Sequence, residues 1–322
     1  MVYLLFVIGL ALLIKGADFL VDGSSSIAKE FQIPELVIGL TIVSFGTSMP
    51  ELIVNLLASF SGSSELAVGN VFGSNIANVL LILGVAALIK PLPIQRSIYY
   101  TEIPISLAAT FMVGFLANAN LFLDIPGLSL SRADGGILLF FFGLFMAYIY
   151  AVSKSKSGQM DMASSDATME LLPRAKSVIY IIGGVLALFL GGKWVVDGAV
   201  EIATLMGLSE TFIGLTVVAV GTSLPELVTS AVAAKKGQAD IAVGNVVGSN
   251  IFNILWILGL SALIQPLPFT VVSNMDILVV VFSSTLLLLA VIFGRESKVN
   301  HWHGLFFLLC YVLYLIFLVK RG

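Results

Sequence analysis

The sequence predicts an all-α polytopic membrane protein of ten transmembrane helices, built as two inverted five-helix repeats in which helices 2 and 7 are broken. Three observations carry this prediction: the composition, the number of apolar runs and an internal repeat. Of the 322 residues, 58% are hydrophobic and only 11% are charged, whereas a typical soluble domain has about 25% charged residues. A water-soluble core cannot hide that much apolar surface, so the composition excludes a soluble protein.

Ten apolar runs are long enough to cross a bilayer, which requires about 20 residues of helix. They cover residues 2–21, 35–59, 67–89, 98–117, 134–152, 177–196, 210–234, 242–264, 271–293 and 303–319. The one long polar segment, 153–176, is rich in Ser, Lys, Asp and Gly and is expected to be a flexible linker. It separates a first five-helix repeat at 1–152 from a second, inverted repeat at 177–322.

Two short sequence motifs occur in each half, and in both cases the second copy lies 175 residues after the first. The first reads GLTIVSFGTSMPEL at 39–52 and GLTVVAVGTSLPEL at 214–227. The second reads GNVFGSNIAN at 69–78 and GNVVGSNIFN at 244–253. Over residues 39–93 the two halves align without a gap and are identical at 32 of 55 positions. Because each unit has five spans, an odd number, the second unit must enter the membrane from the opposite side.

The basic residues agree with this topology and orient it. Loops on the side of the N-terminus carry three basic residues, whereas loops on the other side carry eleven. Since basic loops stay in the cytoplasm, both termini are predicted to lie outside the cell. Lys235 and Lys236 occupy the turn that corresponds to Phe60 and Ser61 in the first half. Near the ends of spans one and six, Asp18, Asp22 and Asp197 are expected to face water or cap helices.

The first repeated motif places a carboxylate, Glu51 or Glu226, in the middle of an apolar span. A charge there costs about 2.5–3.5 kcal/mol on insertion scales, and such residues usually mark an ion path. Pro50 and Pro225 precede the glutamates and lack an amide hydrogen, so the helices should break nearby. Carbonyls freed in the membrane are tolerated where they line a cavity. Together with the neighbouring Thr-Ser hydroxyls they form a hard-oxygen set that suits Na⁺ and Ca²⁺.

The second motif predicts a polar helix face beside a stripe of small residues. Its polar residues follow each other at intervals of four and therefore share one face of a helix: Asn70, Ser74 and Asn78 in the first copy, and Asn245, Ser249 and Asn253 in the second. The small residues allow another helix to approach closely. Asn75 and Asn250 lie off this face and are expected to be structural. By pseudo-symmetry, Glu51 and Glu226 should meet near the midplane.

Two carboxylates in one dry site repel each other unless a cation or a proton lies between them. An empty site is therefore costly to move across the membrane, whereas a site neutralised by Ca²⁺, Na⁺ or protons can move. This predicts an exchanger with no leak of the empty carrier. A channel and an intramembrane enzyme are the alternatives, but the chain has no filter loop and none of the motifs HExxH or GxSxG.

The duplicated GTSxPE and GNxxGSNIxN motifs resemble those of the calcium/cation antiporter superfamily, and specifically of prokaryotic sodium/calcium exchangers. The resemblance covers nearly the whole chain and implies a central cation site. The residues that match the family's ion-binding positions are Glu51, Glu226, Thr47, Ser48, Thr222, Ser223, Ser74, Ser249 and Asn78, with Ser44 and Ala219 at positions that contribute backbone carbonyls. Asn253 occupies the remaining position and departs from the Asp of some members, so the site has two carboxylates rather than three.

The resemblance implies a secondary active antiporter that exchanges Ca²⁺ for Na⁺ by alternating access, with spans one and six sliding over a fixed core. A Ca²⁺/H⁺ or other cation/H⁺ antiporter is the alternative, since two carboxylates also bind protons. We expect a multi-pass protein of the cell membrane with no catalytic activity and no cofactor apart from its transported cations. The expected partners are inorganic cations and the lipid bilayer, with no nucleic acid and no protein partner, as a monomer.

Overall fold

The computed structural model describes residues 2–62, 64–122, 127–154, 171–207, 219–294 and 297–321. These ranges are mostly helical. The helices are α1 (Val2–Glu30), α2 (Glu35–Thr47), α3 (Met49–Phe60), α4 (Leu66–Ile89), α5 (Ile98–Ala117), α6 (Arg132–Ser153), α7 (Arg174–Leu205), α8 (Ala219–Thr222), α9 (Leu224–Lys236), α10 (Ala239–Ile264), α11 (Val271–Ile292) and α12 (His301–Arg321). The strands are β1 (Leu92–Pro93), β2 (Leu128–Leu130), β3 (Leu267–Phe269) and β4 (Lys298–Val299).

Within the described residues, eight helices are long and apolar enough to cross a membrane, and α2 with α3 forms a further span that bends by 48°. They coincide with nine of the ten predicted spans, which confirms a polytopic helical membrane protein. The seventh predicted span, 210–234, is described only from Ala219 onwards, as α8 and α9. Most of the predicted linker, 153–176, lies outside the described residues.

Helices α1 and α7 are longer than the apolar runs that predicted them. Helix α1 continues to Glu30 rather than ending near residue 21, and α7 continues to Leu205 rather than to residue 196. In α1 the additional turns contain Ser24, Ser25 and Ser26, which are buried in the protein. Hydropathy identifies the apolar part of a helix that faces lipid. It misses these turns because their small polar residues pack against other helices instead.

Glycines bring α1 and α7 together backbone to backbone. A Cβ atom on Gly16 would lie 2.9 Å from the carbonyl oxygen of Gly184, and one on Gly9 would lie 2.9 Å from that of Gly191. In the repeat, Gly184 is the counterpart of Gly9, and Gly191 is the counterpart of Gly16. Each contact therefore repeats the other with the two halves exchanged. Small residues permit this close packing where lipid provides no hydrophobic drive for helix association.

The two halves also cover each other at their ends. Strand β1 of the first half pairs with β4 of the second, and β3 of the second half pairs with β2 of the first, both antiparallel. Helix α6 packs on the last turns of α10, and α12 packs on the last turns of α4. Of the eight continuous spans among the described residues, α4 and α10 are the most buried, with 72% and 78% of their most apolar stretch inside the protein.

Candidate cation-binding site

Both predicted helix breaks are present. Helix α2 ends at Thr47 and α3 begins at Met49, with Ser48 between them at φ −82° and ψ 8°. Helix α8 ends at Thr222 and α9 begins at Leu224, with Ser223 at φ −88° and ψ 8°. The prolines that follow cannot donate to the carbonyls four residues earlier, so the helical hydrogen-bond ladder is interrupted at both places.

The breaks place each glutamate at a helix N-terminus. Glu51 lies in the first turn of α3 and Glu226 in the first turn of α9. The positive end of the helix dipole favours a carboxylate at this position. Each glutamate is only 1% exposed. The helix break thus supplies part of the electrostatic stabilisation that a buried carboxylate needs.

The serine at each break serves the glutamate of the other half. Ser48 and Ser223 stand at the N-caps of α3 and α9, yet neither side chain caps its own helix. Instead, the Ser48 hydroxyl donates to Glu226 Oε1 at 2.8 Å, and the Ser223 hydroxyl donates to Glu51 Oε1 at 3.3 Å. This reciprocal exchange brings the two halves of the predicted site together, and the two carboxylates are close enough to repel each other.

The two serines of the second motif lie beside the glutamates and the break serines. Ser249 Oγ lies 2.9 Å from Ser48 Oγ, and Ser74 lies next to Glu51 without completing a hydrogen bond. Asn78 and Asn253 each lie at a π-helical turn, Asn78–Ile82 in α4 and Phe252–Ile257 in α10. Such turns are rare and are frequent at functional sites. They recur here at equivalent positions of the two halves.

Two carboxylate and two amide oxygens of these side chains are buried and have no hydrogen-bond partner among the described residues: Glu51 Oε2, Glu226 Oε2, Asn78 Oδ1 and Asn253 Oδ1. A buried acceptor without a partner costs about 1–3 kcal/mol. Carboxylate and amide oxygens are the ligand types that Na⁺ and Ca²⁺ prefer. Within the part of the chain that the structure describes, no three His, Cys, Asp or Glu side chains converge on one point, so a cation here depends on amide and hydroxyl oxygens as well as on the two glutamates.

The threonines before the breaks contact the other half. The Thr47 hydroxyl donates to Asn245 Oδ1 at 2.9 Å, and the Thr222 hydroxyl donates to Asn70 Oδ1 at 3.4 Å. Asn245 is further held because its Nδ2 donates to Ser230 Oγ at 3.0 Å. Asn70 and Asn245 therefore bond across helices in this structure, and the role of the two threonines as cation ligands stays a prediction.

The two predicted carbonyl positions also remain predictions. The Ser44 carbonyl accepts from the Ser48 amide at 3.0 Å and from the Thr47 hydroxyl at 3.3 Å, so it is engaged within its own segment. Ala219 is the first described residue of α8.

Sequence reasoning assigned Asn75 and Asn250 a structural role, yet both touch site residues. Asn75 Oδ1 accepts from Asn253 Nδ2, and Asn250 Oδ1 accepts from Asn78 Nδ2, each at 3.0 Å. Their occurrence in both copies of GSNI was the available signal.

Comparisons with known proteins agree on one family. The family model described as sodium/calcium exchanger protein matches residues 1–151 and 176–320. The inner membrane protein YrbG of Escherichia coli (strain K12) is 40% identical over 266 residues, which cover 81% of this chain and 79% of that protein. The sodium/calcium exchanger MaX1 of Methanosarcina acetivorans is 35% identical over 343 residues, which cover 98% of each chain.

A solved structure has the same fold. It is that of the sodium-calcium exchanger NCX_Mj soaked with Na⁺ and Ca²⁺, which superposes with a TM-score of 0.79 at 33% identity and covers 98% of this chain and 97% of that one. The resemblance inferred from the two repeated motifs is thereby confirmed. With the family model and full-length relatives in agreement, the chain belongs to the sodium/calcium exchanger family.

Proposed function

We propose that this protein is a secondary active antiporter that exchanges Ca²⁺ for Na⁺ across the cell membrane, with the cations bound between Glu51 and Glu226. The observation that carries the proposal is the set of four buried carboxylate and amide oxygens, unpartnered among the described residues, of which each half contributes two. The names of MaX1 and NCX_Mj as exchangers of these two ions support the choice of cations.

The charge of the site supports exchange rather than leak. Glu51 and Glu226 carry two negative charges into a region where each is 1% exposed, so an empty site that crosses the membrane carries them uncompensated. One Ca²⁺ or several Na⁺ ions neutralise them. We propose that only the occupied site changes its access. Because one chain supplies every site residue, a monomer is sufficient as the transport unit.

The proposed architecture is ten spans in two inverted five-helix repeats, 1–152 and 177–322, joined by the linker at 153–176, with both termini outside. The reciprocal Gly9–Gly191 and Gly16–Gly184 contacts and the cross-paired strands support a two-fold relation between the halves. The close contact of α1 with α7 supports their movement as one unit across the site, in alternation between the two sides of the membrane.

Transport is tested by ⁴⁵Ca²⁺ uptake into proteoliposomes loaded with Na⁺, compared with vesicles that have only a pH gradient. We expect uptake that requires internal Na⁺ and is lost in Glu51→Gln and in Glu226→Gln. Glu201→Gln, at an exposed position of α7, is the matched control and should transport normally. Uptake driven by the pH gradient alone would identify a Ca²⁺/H⁺ antiporter instead, and no Ca²⁺ flux under either gradient would refute both.

Topology is tested with the equivalent positions Ser61 and Lys236. Cys310, the one native cysteine, is first replaced by Ala, and a cysteine is then introduced at Ser61 or at Lys236. A membrane-impermeant maleimide added to intact cells should label Ser61→Cys and leave Lys236→Cys unlabelled until the cells are opened. Labelling of both positions from the outside would exclude the inverted arrangement.

A further inference from the structure

We propose that Asn75 and Asn250 are positioning residues that fix the amide groups of Asn253 and Asn78 with their oxygen atoms towards the cation. The inference rests on the proposed function, because it concerns the same site. It begins with an ambiguity in asparagine: the two ends of the amide have nearly the same shape, but only the oxygen end can bind a cation. An amide that is free to turn offers its NH₂ group as often as its oxygen.

The contacts of Asn253 select one of the two orientations of its amide. A backbone carbonyl only accepts hydrogen bonds, and Asn75 Nδ2 donates to the carbonyl oxygen of Asn250 at 3.2 Å. The Asn75 amide is therefore fixed with its oxygen turned the other way, towards Asn253. Because that oxygen also only accepts, Asn253 must present its Nδ2, which donates at 3.0 Å. The orientation of Asn253 is thus determined by a backbone group that cannot turn.

The consequence is visible at the other end of Asn253. Its Oδ1 is buried and has no partner among the described atoms, and the same holds for Asn78 Oδ1, whose Nδ2 donates to Asn250 Oδ1 at 3.0 Å. Asn75 and Asn250 are 0% and 2% exposed, so water does not compete for these bonds. Each site amide is held by the asparagine of the opposite half, so the site keeps this geometry only while α4 and α10 stay in register.

The arrangement also accounts for the departure at position 253. An ionised Asp at this position would bring a carboxylate oxygen against Asn75 Oδ1, two acceptors with no hydrogen between them. Asn253 can donate to Asn75 Oδ1 through its NH₂ group, whereas an Asp would have to be protonated to do so. The site is therefore built for two carboxylates, with Asn253 as a neutral oxygen ligand.

The experiment measures cation binding by the purified full-length protein in detergent, as the rise in its unfolding temperature during titration with CaCl₂ and with NaCl. Asn75→Leu removes the acceptor while it keeps the branched shape of the side chain. Partners that orient metal ligands typically change affinity by roughly 10–100-fold, and we expect the Kd for Ca²⁺ to rise by that factor. The unfolding temperature without ions should fall as well, because the Asn250 carbonyl and Asn253 Nδ2 lose their partner.

The matched control is a second asparagine pair between the halves, remote from the site. Asn118 and Asn274 exchange hydrogen bonds at 2.9 and 2.8 Å. Asn118→Leu should leave the Kd for Ca²⁺ unchanged. An unchanged Kd in Asn75→Leu would overturn the proposal, and so would a parallel loss of affinity and unfolding temperature in both variants.

The experiment remains decisive if Asn75→Leu does not fold or if the wild-type protein does not bind cations. If Asn75→Leu does not fold, Asn75→Ser removes the same contact with a smaller side chain and is judged by the same criteria. If the wild-type protein itself does not bind Ca²⁺ or Na⁺, the proposed function fails, whereas wild-type binding that Asn75→Leu retains in full overturns only the positioning role.

Discussion

The two halves of the molecule are nearly identical at the centre and different at the ends. At the centre, each half supplies a helix break, a glutamate and a serine that donates to the glutamate of the other half. At the ends, most charged residues of one half have no counterpart of the same charge in the other. In the repeat, Lys236 corresponds to Ser61, and Asp18 corresponds to Lys193. Asp22 and its counterpart Asp197 do keep their charge.

These differences coincide with a difference in packing. Helix α1 packs along α9. At the C-terminal end of α9, Lys236 Nζ forms ion pairs with two residues of α1, Asp22 Oδ1 at 2.7 Å and Asp18 Oδ1 at 3.2 Å. At the equivalent place in the other half, a cavity of about 340 Å³ separates α7 from α3. Lys193 and Asp197 line it, and it reaches Thr222 at the break of α8 and α9. The structure thus has a cavity beside the helix break of one half and an ion-paired contact at the equivalent place of the other.

The centre and the ends are under different constraints during transport. A site that must bind the same ions from both sides requires equivalent chemistry in both halves, and the repeated motifs retain it. The ends meet different solutions and need no such equivalence, so their residues can favour one orientation over the other. Changes at the centre should therefore affect both directions of transport, whereas changes at the ends should affect the balance between them.

The largest expected effect is at the centre. Glu51→Gln and Glu226→Gln should each lower the rate of Na⁺-dependent Ca²⁺ uptake at least about 100-fold, beyond the roughly 10–100-fold typical of residues that only orient ligands. The losses should be similar because the two glutamates occupy equivalent positions. The measurement is the initial rate of ⁴⁵Ca²⁺ uptake at saturating Ca²⁺. If one variant transports normally, the centre is not functionally symmetric.

The helix breaks and the position of the glutamates could be predicted because their determinants are local. Pro50 and Pro225 interrupt the helical hydrogen bonds whatever the tertiary contacts are. Glu51 and Glu226 follow the breaks within one turn. The breaks at Ser48 and Ser223 were predicted to within one residue. Periodicity likewise predicts that Asn78 and Asn253 share a helix face with Ser74 and Ser249, and Ser249 Oγ lies 2.9 Å from Ser48 Oγ.

What could not be predicted depends on contacts between distant residues. Lys236 bonds to Asp22 across 214 positions of the chain, and no local pattern links them. The side chains of Asp18 and Asp22 are 31% and 36% exposed, so they face water in part, as expected, but their ion pairs with Lys236 were not predicted. Asn75 lies off the polar face of α4, and its bond to Asn253 spans 178 positions. Such contacts depend on how α1 packs against α9 and how α4 packs against α10. The spacing of residues along a single sequence does not predict this packing.

The next effect concerns the glycine contacts, where the two halves are equivalent. A Cβ atom on Gly184 would lie 2.7 Å from the Gly16 carbonyl oxygen and 2.7 Å from the Leu20 amide, both backbone atoms that cannot move aside. Gly184→Ala should therefore destabilise the protein by about 1–3 kcal/mol, as overpacking does. Thermal unfolding in detergent measures the effect as a lower unfolding temperature.

Gly183 is the matched control because it is the preceding residue of the same helix, and a Cβ atom added there would have no neighbour within 4 Å among the described residues. Gly183→Ala should raise stability by up to about 1 kcal/mol, since Ala is the better helix former. Equal behaviour of the two variants would mean that α1 and α7 are not in close contact, and the equivalence of the halves at this place would fail.

The smallest expected effect concerns the difference at the ends. Val54, which lines the cavity, and Thr229, which is 0% exposed, are equivalent positions. With Cys310 replaced by Ala, a water-soluble maleimide should label Val54→Cys faster than Thr229→Cys. Lys236→Ser should then speed labelling of Thr229→Cys about fivefold, because partly exposed ion pairs contribute about 1 kcal/mol or less. Lys235→Ser, at an exposed neighbouring position, should leave the labelling rate unchanged.

The reverse exchange introduces a lysine at the end that lacks one. A lysine introduced by Ser61→Lys meets Lys193 where Lys236 meets Asp18, so the attraction of Asp197 is opposed by a like charge. We therefore expect Ser61→Lys to leave the labelling of Val54→Cys nearly unchanged, and the double change Ser61→Lys with Lys193→Asp to slow it. If the single change slows labelling as much as the double change, a lysine at this position acts by its bulk. The closed end would then result from the size of Lys236 and not from its ion pairs.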